Sequence, residues 1–180
     1  LFISLVTLFG GYLVKIYAWK SILGLEGILN TALIGLGIVS EPLGALLYNR
    51  GSVATALTHF LLPIAVLPIV ASMRNIQDIT LEAGRDLGAG PVRILLGVVL
   101  PQCRAGIIAA FAFSFLIAAG DYITPLFLGG TDGAMIGMFI ASQFSIRFDW
   151  PLGSAMAFLT MFSCLTVVLI ARLAIVRGRK

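Results

Sequence analysis

Four long apolar runs dominate this chain and leave few folds open to it: residues 1–19, 53–73, 105–120 and 152–176. Lys15 interrupts the first, Arg50 and Arg74 bound the second, and Arg172 lies near the end of the fourth. A helix needs about 20 apolar residues to cross the hydrocarbon layer, so each run reaches or nearly reaches that length. Inside hydrocarbon every backbone group must pair within the protein, which selects helices. Composition agrees: 59% of residues are apolar and 11% charged, where a soluble domain carries roughly a quarter charged residues. Such a chain could not cover a water-facing surface. The expected fold is all-α, a polytopic membrane helix bundle with about four spans. Pro63 and Pro68 fall inside the second run and predict a kink there.

The chain opens on Leu1 in mid-run, with no charged leader region or small-residue cleavage site. That start suggests a fragment whose N-terminal part is missing. Lysine and arginine distribution sets the expected orientation. Arg74, Arg85, Arg93 and Arg104 lie between the second and third runs, and Arg172, Arg177, Arg179 and Lys180 cluster at the tail. Lys15, Lys20, Arg50 and Arg147 fall to the opposite side. The bias places residues 74–101 and the C-terminus in the cytoplasm. The net charge of +4 therefore speaks to orientation and not to nucleic acid. Cys103 and Cys164 have no metal-ligand spacing and read as buried bystanders. No G-x-x-x-x-G-K-[ST], H-E-x-x-H or C-x-x-C pattern occurs, so no cofactor, metal or catalytic residue is expected.

Two segments lie outside the runs. Residues 20–52 carry a short apolar stretch, read as an interfacial helix followed by a turn at Glu41 and Pro42. Residues 121–151 hold a flexible turn at Gly129, Gly130 and Gly133, a short apolar helix in "AMIGMFIASQF", and Asp149, Trp150 and Pro151 leading into the last span. Trp150 fits an interfacial anchor and Pro151 a first helical turn.

The most polar stretch, "EAGRDLGAGPVRILLGVVLP", has its own logic. Asp78 is expected to cap a helix starting near Ile79. Gly88 suits the left-handed residue that ends it. Gly90 and Pro91 suit the start of a second helix, and Pro101 marks a further bend. Two short helices joined by a glycine elbow would leave Leu81, Leu87 and Ile94 available to a partner's groove.

Glu82, Ala83, Gly88 and the "VVLP" ending at Pro101 match E-A-A-x-x-x-G followed nine residues on by [IV]-x-L-P, with Gly84 in place of the second alanine. This pattern resembles the EAA motif of permease subunits of binding-protein-dependent ABC importers. "GILNTAL", "SEPLGALLYN", "GDYITPLFLGG", "MIGMFIASQF" and "DWPLGSAM" extend the likeness over nearly the whole chain, most closely to the spermidine/putrescine subfamily. The resemblance implies a type I (MetI-like) permease domain over residues 1–180, beginning in the third of six spans, in the bacterial inner membrane. It implies a coupling loop at about 74–101, in which Glu82, Ala83, Arg85, Asp86, Gly88 and Pro101 engage a separate ATPase subunit. A second permease subunit and a periplasmic or lipoprotein substrate-binding protein would complete the assembly. No bond chemistry would occur on this chain.

Further candidates follow from that reading. Asp121 and Tyr122, at the end of the third run, would attract a cationic polyamine through charge and a ring face; equally, Asp121 would be a helix-end carboxylate exposed at the interface. Asp149 and Trp150 would serve a periplasmic docking loop, or simply cap and anchor the last helix. His59 reads as a packed helix histidine. Lys15 and Lys20, on the outer side, weigh against a cation. Opines, iron and phosphonates stay open as cargo, as does a non-transport membrane scaffold.

Overall fold

The computed structural model describes residues 11–177, with side chains described to residue 175. Among these all regular structure is helical: α1 (Tyr12–Leu23), α2 (Ile28–Gly35), α3 (Arg50–Met73), α4 (Asp78–Asp86), α5 (Pro91–Gln102), α6 (Arg104–Gly120), α7 (Ile123–Leu128), α8 (Ile136–Ser145) and α9 (Trp150–Arg177). The front of the first apolar run lies outside the described residues. Its described part continues four residues beyond the expected end, as α1 reaches Leu23.

Helices α3 and α9, of 24 and 28 residues, are each long enough to cross a membrane. The third run behaves differently. Just before it, residues Pro91–Gln102 form a separate helix, and α5 meets α6 at 68°. The physical reason sits at the junction. Pro101 has no N–H to return to an earlier carbonyl. Residues Leu95–Val99 are wound as a π-helix, which breaks the i→i−4 ladder. Buried Cys103 then carries the turn, with φ −82° and ψ 2°.

Side chains pin the ends of the elements. The Asn49 side chain accepts from Ser52 N–H at 3.0 Å, and the Asn49 N–H donates to Ser52 Oγ at 3.3 Å. This reciprocal pair satisfies otherwise orphaned donors at the start of α3. The same Ser52 hydroxyl donates to the Leu128 carbonyl at 2.7 Å, tying the start of α3 to the end of α7. Asn30, fully buried, donates to the Gly24 and Leu43 carbonyls and accepts from the Leu43 N–H at 2.8 Å. One amide thus closes the loop after α2 and leaves no cost from its own burial.

The core gathers Ile16, Val53, Ala56, Leu57, Leu61 and Leu128, with Tyr12, Phe60 and Ala118 packed against it. Helices α1, α3, α6 and α7 therefore enclose one seam. Helix α9 leaves Phe158, Leu159, Phe162, Leu169 and Ile170 exposed, an outward surface suited to hydrocarbon.

Helices α3 and α6 pack with no space at Gly106. A Cβ there would lie 2.4 Å from both the Pro68 carbonyl oxygen and Ser72 Oγ. Small residues let helix backbones approach this closely in lipid. Gly106→Ala should therefore lower the stability of the detergent-solubilised protein by about 1–3 kcal/mol. Gly97→Ala, whose new Cβ meets nothing within 4 Å, should stay within about 0.5 kcal/mol of the parent. Denaturation midpoints of the two variants check the contrast.

Candidate functional site

The polar stretch folds as the elbow its glycines demand, with one correction. Gln77, not Asp78, occupies the N-cap position, and Asp78 is the first helical residue. An acidic group in the first turn still faces the free N–H groups of the helix start. At the other end Gly88 has φ +76°. The Gly88 N–H donates to the Arg85 carbonyl at 2.8 Å and the Ala89 N–H to the Gly84 carbonyl at 3.1 Å. This paired closure requires a left-handed residue, and glycine adopts that conformation without a Cβ clash. Gly90 then takes the N-cap position and Pro91 opens α5.

Exposure divides the stretch into two faces. Glu82, Ala83, Arg85, Asp86 and Gly88 are exposed, as are Ile79, Leu87 and Val92. Leu87, 88% exposed, is the most solvent-facing large apolar residue here. Leu81 and Ile94 are half-buried, so of the three expected groove residues only Leu87 stands clear. Pro101 is half-buried at the far end of α5. The exposed face mixes charge and apolar surface, the composition that suits a protein partner.

A second constellation forms where α6 stops. Asp121 is 9% exposed, which rules out the reading of a carboxylate standing free at the interface. Its Oδ1 accepts from the Tyr12 hydroxyl at 2.7 Å, the Ile123 N–H at 3.0 Å and the Thr124 N–H at 3.4 Å. Tyr12 Oη also lies 2.7 Å from Thr124 Oγ1. The other oxygen, Oδ2, is buried with no partner among the described residues. Asp121 lines a cavity of about 250 Å³ with Tyr12, Phe60, Ile117, Gly120 and Tyr122. The Tyr12 and Phe60 rings stand 4.5 Å apart, centroid to centroid, at 50°. Tyr122 is 45% exposed at the rim.

The depth of this cavity follows from helix geometry. Phe60 lies ten residues, about 15 Å, along α3 from Arg50 and about 20 Å from Met73. Asp121 therefore breaks the chain's path well inside the span, and α7 resumes it. Sequence reasoning placed Asp121 and Tyr122 correctly at the end of α6 but missed Tyr12, Phe60 and Thr124. Tyr12 is 109 residues away in sequence. Its only signal was a hydroxyl inside an apolar run.

The remaining candidates have structural partners. Asp149 Oδ1 accepts from the Leu152 N–H at 3.0 Å, capping α9. Trp150 stacks edge-on to Phe144 at 5.5 Å and is 61% exposed. His59 Nδ1 accepts from Trp19 Nε1 at 3.3 Å. Lys15 and Lys20 place their ammonium groups 5.3 Å from the Phe60 centroid and 5.8 Å from that of Phe127.

The whole chain, residues 1–180, matches the family model described as binding-protein-dependent transport system inner membrane component. It is 35% identical over 181 residues to the spermidine/putrescine transport system permease protein PotB of Haemophilus influenzae, covering 100% of this chain and 63% of that protein. To PotB of Escherichia coli it is 33% identical over 155 residues, covering 86% of this chain and 56% of that protein. It is also 27% identical over 157 residues to the putative 2-aminoethylphosphonate transport system permease protein PhnU of Salmonella typhi, covering 87% of this chain and 54% of that protein. The chain thus spans somewhat more than half the length of these relatives.

The elbow gives a sharp contrast between neighbouring glycines. A Cβ on Gly84 would meet Ile94 Cγ1 at 3.5 Å, an ordinary contact. Gly84→Ala should therefore raise the local stability of α4 by about 0.5–1 kcal/mol. Gly88→Ala should lower it by about 1–2 kcal/mol, because the left-handed conformation penalises a Cβ. Amide hydrogen exchange across residues 78–94 reads both.

Proposed function

The chain belongs to the family of binding-protein-dependent transport system inner membrane components, and from that membership we propose that it acts as a permease subunit of an ATP-driven importer. It contributes part of the path along which a solute crosses the membrane. The exposed elbow between α3 and α6 carries this reading, because it presents the motif residues to a partner. Glu82, Ala83, Arg85, Asp86 and Gly88 form the grip for a separate ATPase subunit, and Leu87 adds an apolar anchor. Pro101 and the bend at Cys103 pass movement of the grip to α6. A second permease subunit completes the path, and a periplasmic or lipoprotein substrate-binding protein delivers the solute. In this arrangement the elbow and the C-terminus lie in the cytoplasm and the α6–α9 loops lie outside. Asp149 and Trp150 cap and anchor α9 at the outer surface, beside the docking face for the binding protein.

Asp121 and Tyr122 line the path. Discontinuous helices with a polar group inside the span are a recurrent device for transport sites. The cargoes named in the relatives' descriptions, spermidine, putrescine and 2-aminoethylphosphonate, share an aminoalkyl group. A buried carboxylate complements that group, and it favours small aminoalkyl cations, polyamines first, as the cargo.

The test is reconstitution with the ATPase, the second permease and the binding protein. Substrate-dependent ATP hydrolysis and uptake are expected. Glu82→Ala should reduce uptake by about tenfold, the effect of losing roughly 1.4 kcal/mol at the grip. Membrane insertion should stay intact. Normal ATPase retention and normal uptake in that variant would remove Glu82 from the grip.

A further inference from the structure

We infer that the cavity bounded by Tyr12, Phe60 and Tyr122 is a subsite for a single alkylammonium group, with the Asp121 carboxylate as its counter-charge and Lys15 as a built-in competitor. The inference rests on the reading of this chain as part of a solute path and adds to it the residues, the ligand chemistry and a selectivity device.

One buried carboxylate lacks half its partners. Asp121 Oδ1 is fully used by Tyr12 and by the start of α7. Oδ2 is buried and unpartnered among the described residues. A buried carboxylate costs several kcal/mol unless a cation or donors compensate it. The walls of the cavity supply what a cation needs next, since Phe60, Tyr12 and Tyr122 present aromatic rings around the carboxylate. The cavity of about 250 Å³ presents a single carboxylate, which pairs with one ammonium head at a time. A long polyamine would thus place one end here at a time.

The chain already displays this chemistry. The Lys15 ammonium sits 5.3 Å from the centroid of Phe60, the same ring that lines the cavity. Lys15 follows Tyr12 by three residues on α1, so the two side chains share a helix face. A cargo ammonium entering beside Phe60 meets this tethered one and must compete with it. The pair explains how a lysine can lie beside a cation path: it weakens binding, which hastens release.

The experiment is equilibrium titration of 1,4-diaminobutane into the assembled transporter in nanodiscs, without ATP and without binding protein, with 1,4-butanediol as the neutral isostere. Binding of the diamine and none of the diol are expected. Asp121→Asn should weaken the diamine by about tenfold or more. Phe60→Leu, which leaves the carboxylate in place, should weaken it about threefold. Lys15→Met should tighten it, and Phe127→Leu, outside the cavity, should leave it unchanged. No diamine binding by the parent complex overturns the subsite, as does equal binding by the Asp121 and Phe60 variants. Unchanged or weaker binding in Lys15→Met overturns the competitor role alone. Because the titration needs no turnover, a complex that binds the diamine yet fails to import solute counts against the transport reading and leaves the subsite standing.

Discussion

A helix that breaks inside hydrocarbon leaves amide N–H groups with no carbonyl behind them and no water to turn to. At the end of α6 one atom answers that demand. Asp121 Oδ1 takes the N–H groups of Ile123 and Thr124 and also the hydroxyl of Tyr12. The first two bonds let α7 start where α6 stops. The third brings α1 against both. The aromatic cavity, the seam of Ile16, Leu57 and Leu128, and the position of Phe60 all depend on that convergence.

Much of the architecture is written locally and could be read from residue order. The apolar runs announce α3 and α9 because length and composition alone decide a span. Gly88 fixes the elbow because its left-handed backbone admits almost no other residue, and Pro91 is pre-shaped for the first turn of α5. Asp149 caps α9 for an equally local reason. What escaped was non-local or too short. Helix α7, "ITPLFL", has six residues, fewer than two turns, and no repeated amphipathic pattern, so nothing separated it from a loop. The burial of Asp121 depends on Tyr12, and no pattern links two residues so far apart. The bend between α5 and α6 was half-visible: Pro101 signalled a break, but the π-helical winding of Leu95–Val99 has no simple sequence mark.

The one departure from the EAA pattern also acquires a physical meaning. Gly84 is half-buried and its missing Cβ would point at Ile94, while the motif residues on either side are exposed. Position 84 therefore belongs to the packing of α4 on α5. The exposed surface is carried by Glu82, Ala83, Arg85 and Asp86. A glycine there loosens the joint between the two short helices without altering what they present.

Helix α7 is fastened at both ends, at its start by the Asp121 carboxylate and at its finish by the Ser52 hydroxyl on the Leu128 carbonyl. Along its length it also meets Tyr12, Tyr17 and Lys20 of α1, and the glycine turn that begins at Gly129 follows it. So short a rod, held this way, cannot rotate without drawing on the buried carboxylate or on the first turn of α3. It is a connecting link: through α7 the Asp121 carboxylate is joined to Ser52 in the first turn of α3, eight residues from Phe60 on that helix.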